Sequence, residues 1–190
     1  MRVEVAVELA ASEKLEIPWE TADPADCYFD LREDPRTIAR VEPARRHPPL
    51  RNLLVAVNSD DSLFSTARCK TWLEQALSGA DPCEFSSHID LVFAAEPFNF
   101  DRSRYVGLTQ RLAELLTRET APDTQRAELR VRACHFRGPA RDGFCLRIVL
   151  HARAATPEQA EVRWGFALAR VQQALLFASR AIRQQIARAS

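Results

Sequence analysis

The chain has 190 residues with 26 basic and 26 acidic side chains, so it carries no formal net charge at neutral pH. This balance argues against a dedicated nucleic-acid-binding protein, which usually has a strong basic excess. Only five residues are glycine, and no glycine-rich phosphate-binding motif occurs, which disfavours the common nucleotide cradles.

Charge is distributed unevenly along the chain. Residues 1–96 contain 18 acidic and 10 basic side chains, whereas residues 97–190 contain 8 acidic and 16 basic ones. Either the two halves attract each other within one fold, or the surface is dipolar and meets a charged partner. No apolar run approaches the roughly 20 residues that span a bilayer, and the first residues lack the pattern of a secretory signal. We therefore expect a cytoplasmic protein without a membrane segment.

The amino-terminal quarter of the chain combines one strand with a long irregular segment. Alternating apolar and charged residues predict a strand over residues 2–9. Six of the eleven prolines fall within residues 12–51, which predicts a Pro-rich irregular arm. One short helix is expected inside it, with Asp34 as its N-cap and Pro35 at its first position. The arm would either seal an edge of the sheet or cover a pocket.

The middle of the chain is predicted to alternate strands and helices. Residues 52–58 are predicted to form a central buried strand, because a continuous apolar run lies between Asn52 and Asn58. The capping residues that follow predict a helix over residues 59–78 that ends before Gly79. A second strand is expected over residues 88–95, and a helix capped by Asp101 over residues 102–119.

The sharpest local prediction is a β-hairpin formed by residues 127–137 and 143–153. Apolar residues occupy odd positions in the first strand and even positions in the second. Odd positions must therefore face even positions, which requires a loop with an even number of residues, because a slip of one residue would turn one apolar row outward.

The carboxyl-terminal segment predicts one long helix over residues 157–188. Thr156, Pro157 and Gln159 have the pattern of a capping box with proline at the first helical position. At 1.5 Å per residue the helix would be about 48 Å long, which exceeds the diameter of a compact domain of this size. Its far end would then pack against a second copy of the chain, unless the helix lies diagonally along its own sheet.

These elements predict a single α+β domain over residues 1–190, with a mixed sheet and helices mainly on one face. The alternative is a three-layer α/β arrangement, since two predicted crossover helices follow predicted strands. No motif in the sequence identifies a family.

A basic face of the predicted hairpin is the first candidate binding site. Its outward side chains could hold a phosphate or carboxylate through bidentate guanidinium contacts. Alternatively this face is solvated, or it pairs internally with Glu4, Glu8 and Glu128. The candidate anion-binding residues are Arg130, Arg132, Arg147, His151 and Arg153.

A divalent metal site is the second candidate. His88 and Asp90 share one face of a predicted strand, and Asp60 and Asp61 follow the strand expected next to it. Alternatively, the two aspartates only cap the following helix. The five cysteines form no C-x-x-C pair, so the sequence does not predict a zinc knuckle.

Two functions are consistent with this pattern. The first is a non-catalytic homodimeric binding protein that uses its long carboxyl-terminal helix and its basic sheet face, with an acidic protein or a small anion as partner. The alternative is a small enzyme or ligand-binding protein for an anionic metabolite, with or without a divalent metal. No cofactor, nucleic acid or membrane is predicted as a partner.

Overall fold

A computed structural model describes residues 1–8, 14–20, 27–75, 79–118 and 124–189. It confirms the α+β class with a mixed sheet. The six strands are β1 (Arg2–Glu8), β2 (Leu15–Ile17), β3 (Phe64–Glu74), β4 (Cys83–Phe93), β5 (Gln125–Phe136) and β6 (Arg141–Ala154). The strand order is β1-β5-β6-β4-β3, and β2 continues the β1 edge along β5. β1 and β2 run parallel to β5, and the other pairs are antiparallel.

Within these described ranges, four α-helices accompany the sheet, and they are α1 (Glu42–Arg46), α2 (Pro48–Val57), α3 (Arg102–Thr117) and α4 (Pro157–Ala189). Short 3₁₀ helices span Pro35–Arg40 and Glu96–Phe100. The larger helices cover one face of the sheet, here called the inner face, where the main core includes Leu129, Ile148 and Trp164 at 1% exposure or less. The opposite, outer face carries most of the charge of the strands.

The hairpin register is confirmed. Ala127 pairs with Leu150 and Val131 with Leu146, so odd positions of β5 face even positions of β6. The loop comprises residues 137–140, which is an even number. Both apolar rows face the helices, and they are buried except for the half-buried Ala133 and Phe144 near the loop, as the parity argument requires.

The long terminal helix is also confirmed. The N–H of Gln159 donates to the Thr156 hydroxyl at 3.3 Å, as an N-cap predicts. Buried residues of α4 extend from Ala160 to Ser179, and Ile182 still packs on the core. Residues 183–188 are exposed. The helix therefore lies along its own domain for most of its length, and its overhang is short.

Two predicted elements in the middle of the chain are wrong. Residues 52–57 belong to a helix, α2, and Asn58 is its C-cap. Pro48 and Pro49 occupy the first turn of this helix, where no backbone donor is lost. The helix predicted over residues 59–78 is strand β3, paired with β4 from Phe64 to Glu74. The first crossover helix of the three-layer alternative is therefore absent, and β3 and β4 form a second antiparallel pair. The end of the predicted helix, residues 76–78, lies outside the described residues.

The arm over residues 12–51 is more regular than predicted. Asp34 caps a 3₁₀ helix, and its carboxylate accepts from the N–H of Arg36 at 3.1 Å. The helix α1 and the start of α2 follow within the same segment. Residues 14–20, here called the strap, begin as β2 at the sheet edge and then turn over the outer face, where Leu15, Ile17 and Trp19 join a second apolar cluster.

Candidate functional site

An open cleft of about 360 Å³ lies between the strap and the outer face of the sheet. Basic side chains dominate its lining, and they are Lys14, Arg68, Arg132, Arg137 and Arg147. Glu16 and Glu20 of the strap are the acidic residues of the lining. The cleft therefore has the charge that an anionic ligand requires.

Arg147 is held in place at the floor of the cleft. Its Nε and Nη2 each donate to one carboxylate oxygen of Asp90, both at 2.7 Å. The Asp90 side chain is completely buried, whereas Arg147 retains 20% exposure. Burial by itself would lower the pKa of Arg147, but the hydrogen bonds and charge of Asp90 outweigh it and raise that pKa. The guanidinium is thus charged, oriented, and has further N–H groups left for a ligand.

Arg132 lies beside Arg147 across the hairpin. Its Nε is 3.6 Å from a carboxylate oxygen of Glu8, and its side chain is 12% exposed. Alternating side chains on β5 and β6 bring the two arginines to the same outer face.

Arg68 differs from the other cations of the cleft. It is exposed, and within the described residues no carboxylate lies within ion-pair distance of its guanidinium. Its guanidinium carbon lies 5.7 Å from the centroid of the Trp19 ring. The indole N–H of Trp19 donates to the carbonyl of Ala67 at 2.6 Å, so the strap is fastened to the residue that precedes Arg68.

The strap is also fixed at its edges by ion pairs. Arg137 donates from Nε to Glu16 at 2.8 Å and lies 3.2 Å from Glu20. Lys14 pairs with Asp142. These carboxylates offset the charge of Arg137 and Lys14, as Asp90 and Glu8 do for Arg147 and Arg132. Within the described lining, Arg68 is therefore the cation without a carboxylate partner.

His88 is the imidazole of the cleft. Burial lowers its pKa to about 4, and the charges of Arg147, Arg68 and Lys70 act in the same direction, although Asp90 opposes them. The ring is therefore neutral at physiological pH. Its Nε2 is buried and has no hydrogen-bond partner in the described part of the chain.

The structure places only two of the five predicted anion-binding residues in the cleft, Arg132 and Arg147. The other three belong to a separate network on the same sheet face. Arg130 pairs with Glu8 and Glu128, and both His151 and Arg153 contact Glu84, at 3.0 and 2.7 Å. These three residues thus follow the internal-pairing alternative, whereas the predicted partner Glu4 pairs with Arg2 instead.

The predicted metal ligands are not brought together. Asp60 and Asp61 are exposed in the turn between α2 and β3, and Asp60 lies 3.9 Å from Arg32. His88 and Asp90 share the outer face of β4, but Asp90 is committed to Arg147. Among the described residues, no three His, Cys, Asp or Glu side chains are arranged to hold a metal ion. The aspartates cannot cap a helix either, because a strand follows them.

Sequence reasoning missed Lys14, Arg68 and Arg137. Arg68 was missed because its segment was assigned to a helix. The signal that could have found it is the run of Thr, Arg, Lys and Trp residues in 66–72, which favours a strand with basic residues on one face. Nothing local in the sequence indicates that the strap reaches this face.

No described helix combines the length and the apolar character that a bilayer crossing requires. Searches against protein-family models, curated proteins and solved structures found no match to this chain.

Proposed function

We propose that this chain is a non-catalytic binding protein whose cleft holds a small anion through a phosphate or carboxylate group. One observation carries the proposal: Arg68, which has no carboxylate partner among the described residues, lines the same cleft as Arg147, which Asp90 holds in a fixed orientation. A prearranged guanidinium loses less side-chain freedom on binding, so more of the contact energy remains as affinity.

The composition of the cleft supports binding rather than catalysis. The described lining contains no serine, threonine or cysteine, which are the usual nucleophiles of small hydrolases and transferases. The acidic residues of the lining, Glu16 and Glu20, are paired with Arg137. Because Nε2 of His88 is buried, this nitrogen is poorly placed to exchange protons with a ligand.

Isothermal titration calorimetry with inorganic phosphate and with citrate tests the proposal. The variant Arg68→Met should weaken binding of the better ligand by about 10- to 100-fold, since a hydrogen-bonded ionic contact contributes about 1.5–3 kcal/mol. Arg51→Met is the matched control, because Arg51 is exposed on α2, on the other side of the sheet. Affinity should also fall as salt is added. Equal affinities for the two variants, or no binding of either anion, would contradict the proposal.

We propose, as a second function, self-association through the outward face of α4. Val162, Phe166 and Phe177 of α4 are 59%, 66% and 55% exposed, and large apolar side chains grouped on one exposed surface mark an interaction site. Eleven residues separate the two phenylalanines, which is close to three helical turns, so both rings project from one side about 16 Å apart.

Charge complementarity favours an antiparallel pair of α4 helices about a two-fold axis. Such a pair, centred between positions 171 and 172, would place Phe166 of one copy opposite Phe177 of the other. The exposed Glu158 near the start of the helix would then lie near the exposed Arg180 and Arg188 at the end of the other helix. The helix dipoles would also be antiparallel.

Sedimentation equilibrium tests the dimer. The wild-type chain should sediment as a dimer, and the double variant Phe166→Ala/Phe177→Ala as a monomer with unchanged helicity. Leu73→Ala is the control, because Leu73 is 40% exposed in an edge strand. A wild-type monomer at high concentration would refute self-association and leave the anion site untouched. A cytoplasmic location remains part of the proposal, supported by the five free thiols.

A further inference from the structure

A second and mostly apolar pocket of about 90 Å³ borders the basic cleft. Its lining includes Phe29, Leu31, Val41 and Leu54. The pocket and the cleft share two wall residues, Trp19 and Arg68. The pocket lies on the helix-covered side of β3, since Leu54 and Cys69 belong to the inner face, whereas the cleft lies on the outer face. The two sites meet at the edge strand β3, where Trp19 and Arg68 line both.

We propose that the ligand of the cleft carries a compact hydrocarbon group next to its phosphate or carboxylate, and that this group occupies the apolar pocket. The inference rests on the proposed function, because it requires the anionic group to be held in the cleft. It adds the chemical class of the ligand, an amphipathic monoanion or dianion such as a phosphate monoester or an aryl carboxylate.

Trp19 and Arg68 form the boundary between the two sites. The indole is anchored through its N–H to the Ala67 carbonyl, and the Trp19 carbonyl accepts from the N–H of Tyr28 at 3.2 Å. Trp19 is thus held in place both through its indole ring and through its backbone carbonyl. Arg68 lies close to the indole, so its charged group can reach an anion in the cleft while its methylene stem lines the apolar pocket.

Arg40, Glu42 and Cys69 also line the pocket, and of these the Cys69 thiol is uncharged. Burial raises the pKa of the Cys69 thiol to about 12, with smaller contributions from the charges of Asp90 and Glu42. The thiol is therefore uncharged and acts as a small hydrophobic group. An apolar cavity of about 150 Å³ can hold a benzene molecule. A pocket of about 90 Å³ that opens to solvent therefore suits an aryl ring with one edge at the mouth, or a short branched alkyl group.

The test compares inorganic phosphate, methyl phosphate and phenyl phosphate by isothermal titration calorimetry. Phenyl phosphate should bind about tenfold more tightly than methyl phosphate, because it removes the ring surface from water. Its binding should also have the more negative heat-capacity change, which is the marker of buried apolar surface. Equal affinities and equal heat-capacity changes would overturn this inference while leaving the anion site intact. If none of the three binds, the proposed function fails together with the inference.

A filling variant locates the hydrocarbon group. Val41→Phe places a ring in the apolar pocket, and it should reduce the affinity for phenyl phosphate to that for methyl phosphate without changing the affinity for inorganic phosphate. Val55→Phe, at an exposed position of α2, is the matched control and should keep the tenfold difference. Circular dichroism confirms that each variant is folded. A folded Val41→Phe protein that keeps the preference for phenyl phosphate would refute the assignment of the hydrocarbon group to this pocket. If this variant does not fold, the heat-capacity comparison on the wild-type chain decides whether the ring is buried on binding.

Discussion

His88 should make the protein less stable as the pH falls from 8 to 5. Its ring lies against Trp72 at 6.1 Å between centroids, and the charged groups around it are Asp90, Arg147, Arg68 and Lys70. Burial, together with three cations, lowers its pKa from 6.5 to about 4. In the unfolded chain the same imidazole takes up a proton near pH 6.5.

The sign and size of the effect follow from proton linkage. Between pH 6.5 and about 4 the unfolded state binds more protons than the folded state, so acid favours unfolding. The contribution of His88 is complete above pH 6.5 and is lost progressively as the pH falls towards about 4. With these two pKa values the loss is about 2 kcal/mol at pH 5 and about 3 kcal/mol at pH 4.

Urea unfolding at a series of pH values measures this loss. The variant His88→Gln has no titrating group at this position, so the difference between wild type and variant isolates His88 from the other histidines. The wild-type free energy of unfolding should fall by about 2 kcal/mol more than that of the variant between pH 8 and pH 5. Parallel pH profiles would refute the conclusion that His88 is buried in its neutral form.

Two further predictions concern packing and pairing. Gly143→Ala should destabilise the fold by about 2 kcal/mol or more, because the added Cβ would lie 2.6 Å from the Asn99 carbonyl oxygen. Gly138→Ala should not destabilise it, because no atom lies within 4 Å of the Cβ added there. Thermal unfolding of the two variants compares them directly. Asp90→Asn should cost about 3 kcal/mol in urea unfolding, since it leaves the partly buried Arg147 without its ion pair, and a loss below about 1 kcal/mol would show that solvent compensates Arg147.

The elements that sequence predicts well are those whose pattern is local and regular. The register of the hairpin follows from the odd and even positions of its two apolar rows. The helix over residues 157–188 follows from one N-terminal cap and one uninterrupted apolar stripe. The region around Pro48 and Pro49 misleads because prolines that usually interrupt structure here begin a helix. For the same reason the segment 52–58, although apolar from Leu53 to Val57, is the end of a helix with its C-cap and not a central strand.

The cleft was only partly predictable, because its residues come from segments far apart in the chain. The alternation along β5 and β6 places Arg132 and Arg147 on one face, and this much follows from the sequence. The acidic partners that neutralise Arg130 and Arg153, and the position of the strap, depend on long-range pairing. Local pattern carries no information about which of these arginines remains available to a ligand.

A single extra residue in β3 connects the fold to the site. Phe64 and Thr66 point to the inner face, and the register then shifts between Thr66 and Arg68, so that Cys69 continues the inner row. Without this bulge, strand alternation would place Arg68 on the inner face with Phe64 and Thr66, and its side chain would point into the core. With the bulge it lies opposite Asp90 on the outer face. The carbonyl of the inserted Ala67 also receives the indole N–H of Trp19. The bulge therefore directs Arg68 into the cleft. It also anchors Trp19, which lies between the cleft and the apolar pocket and lines both.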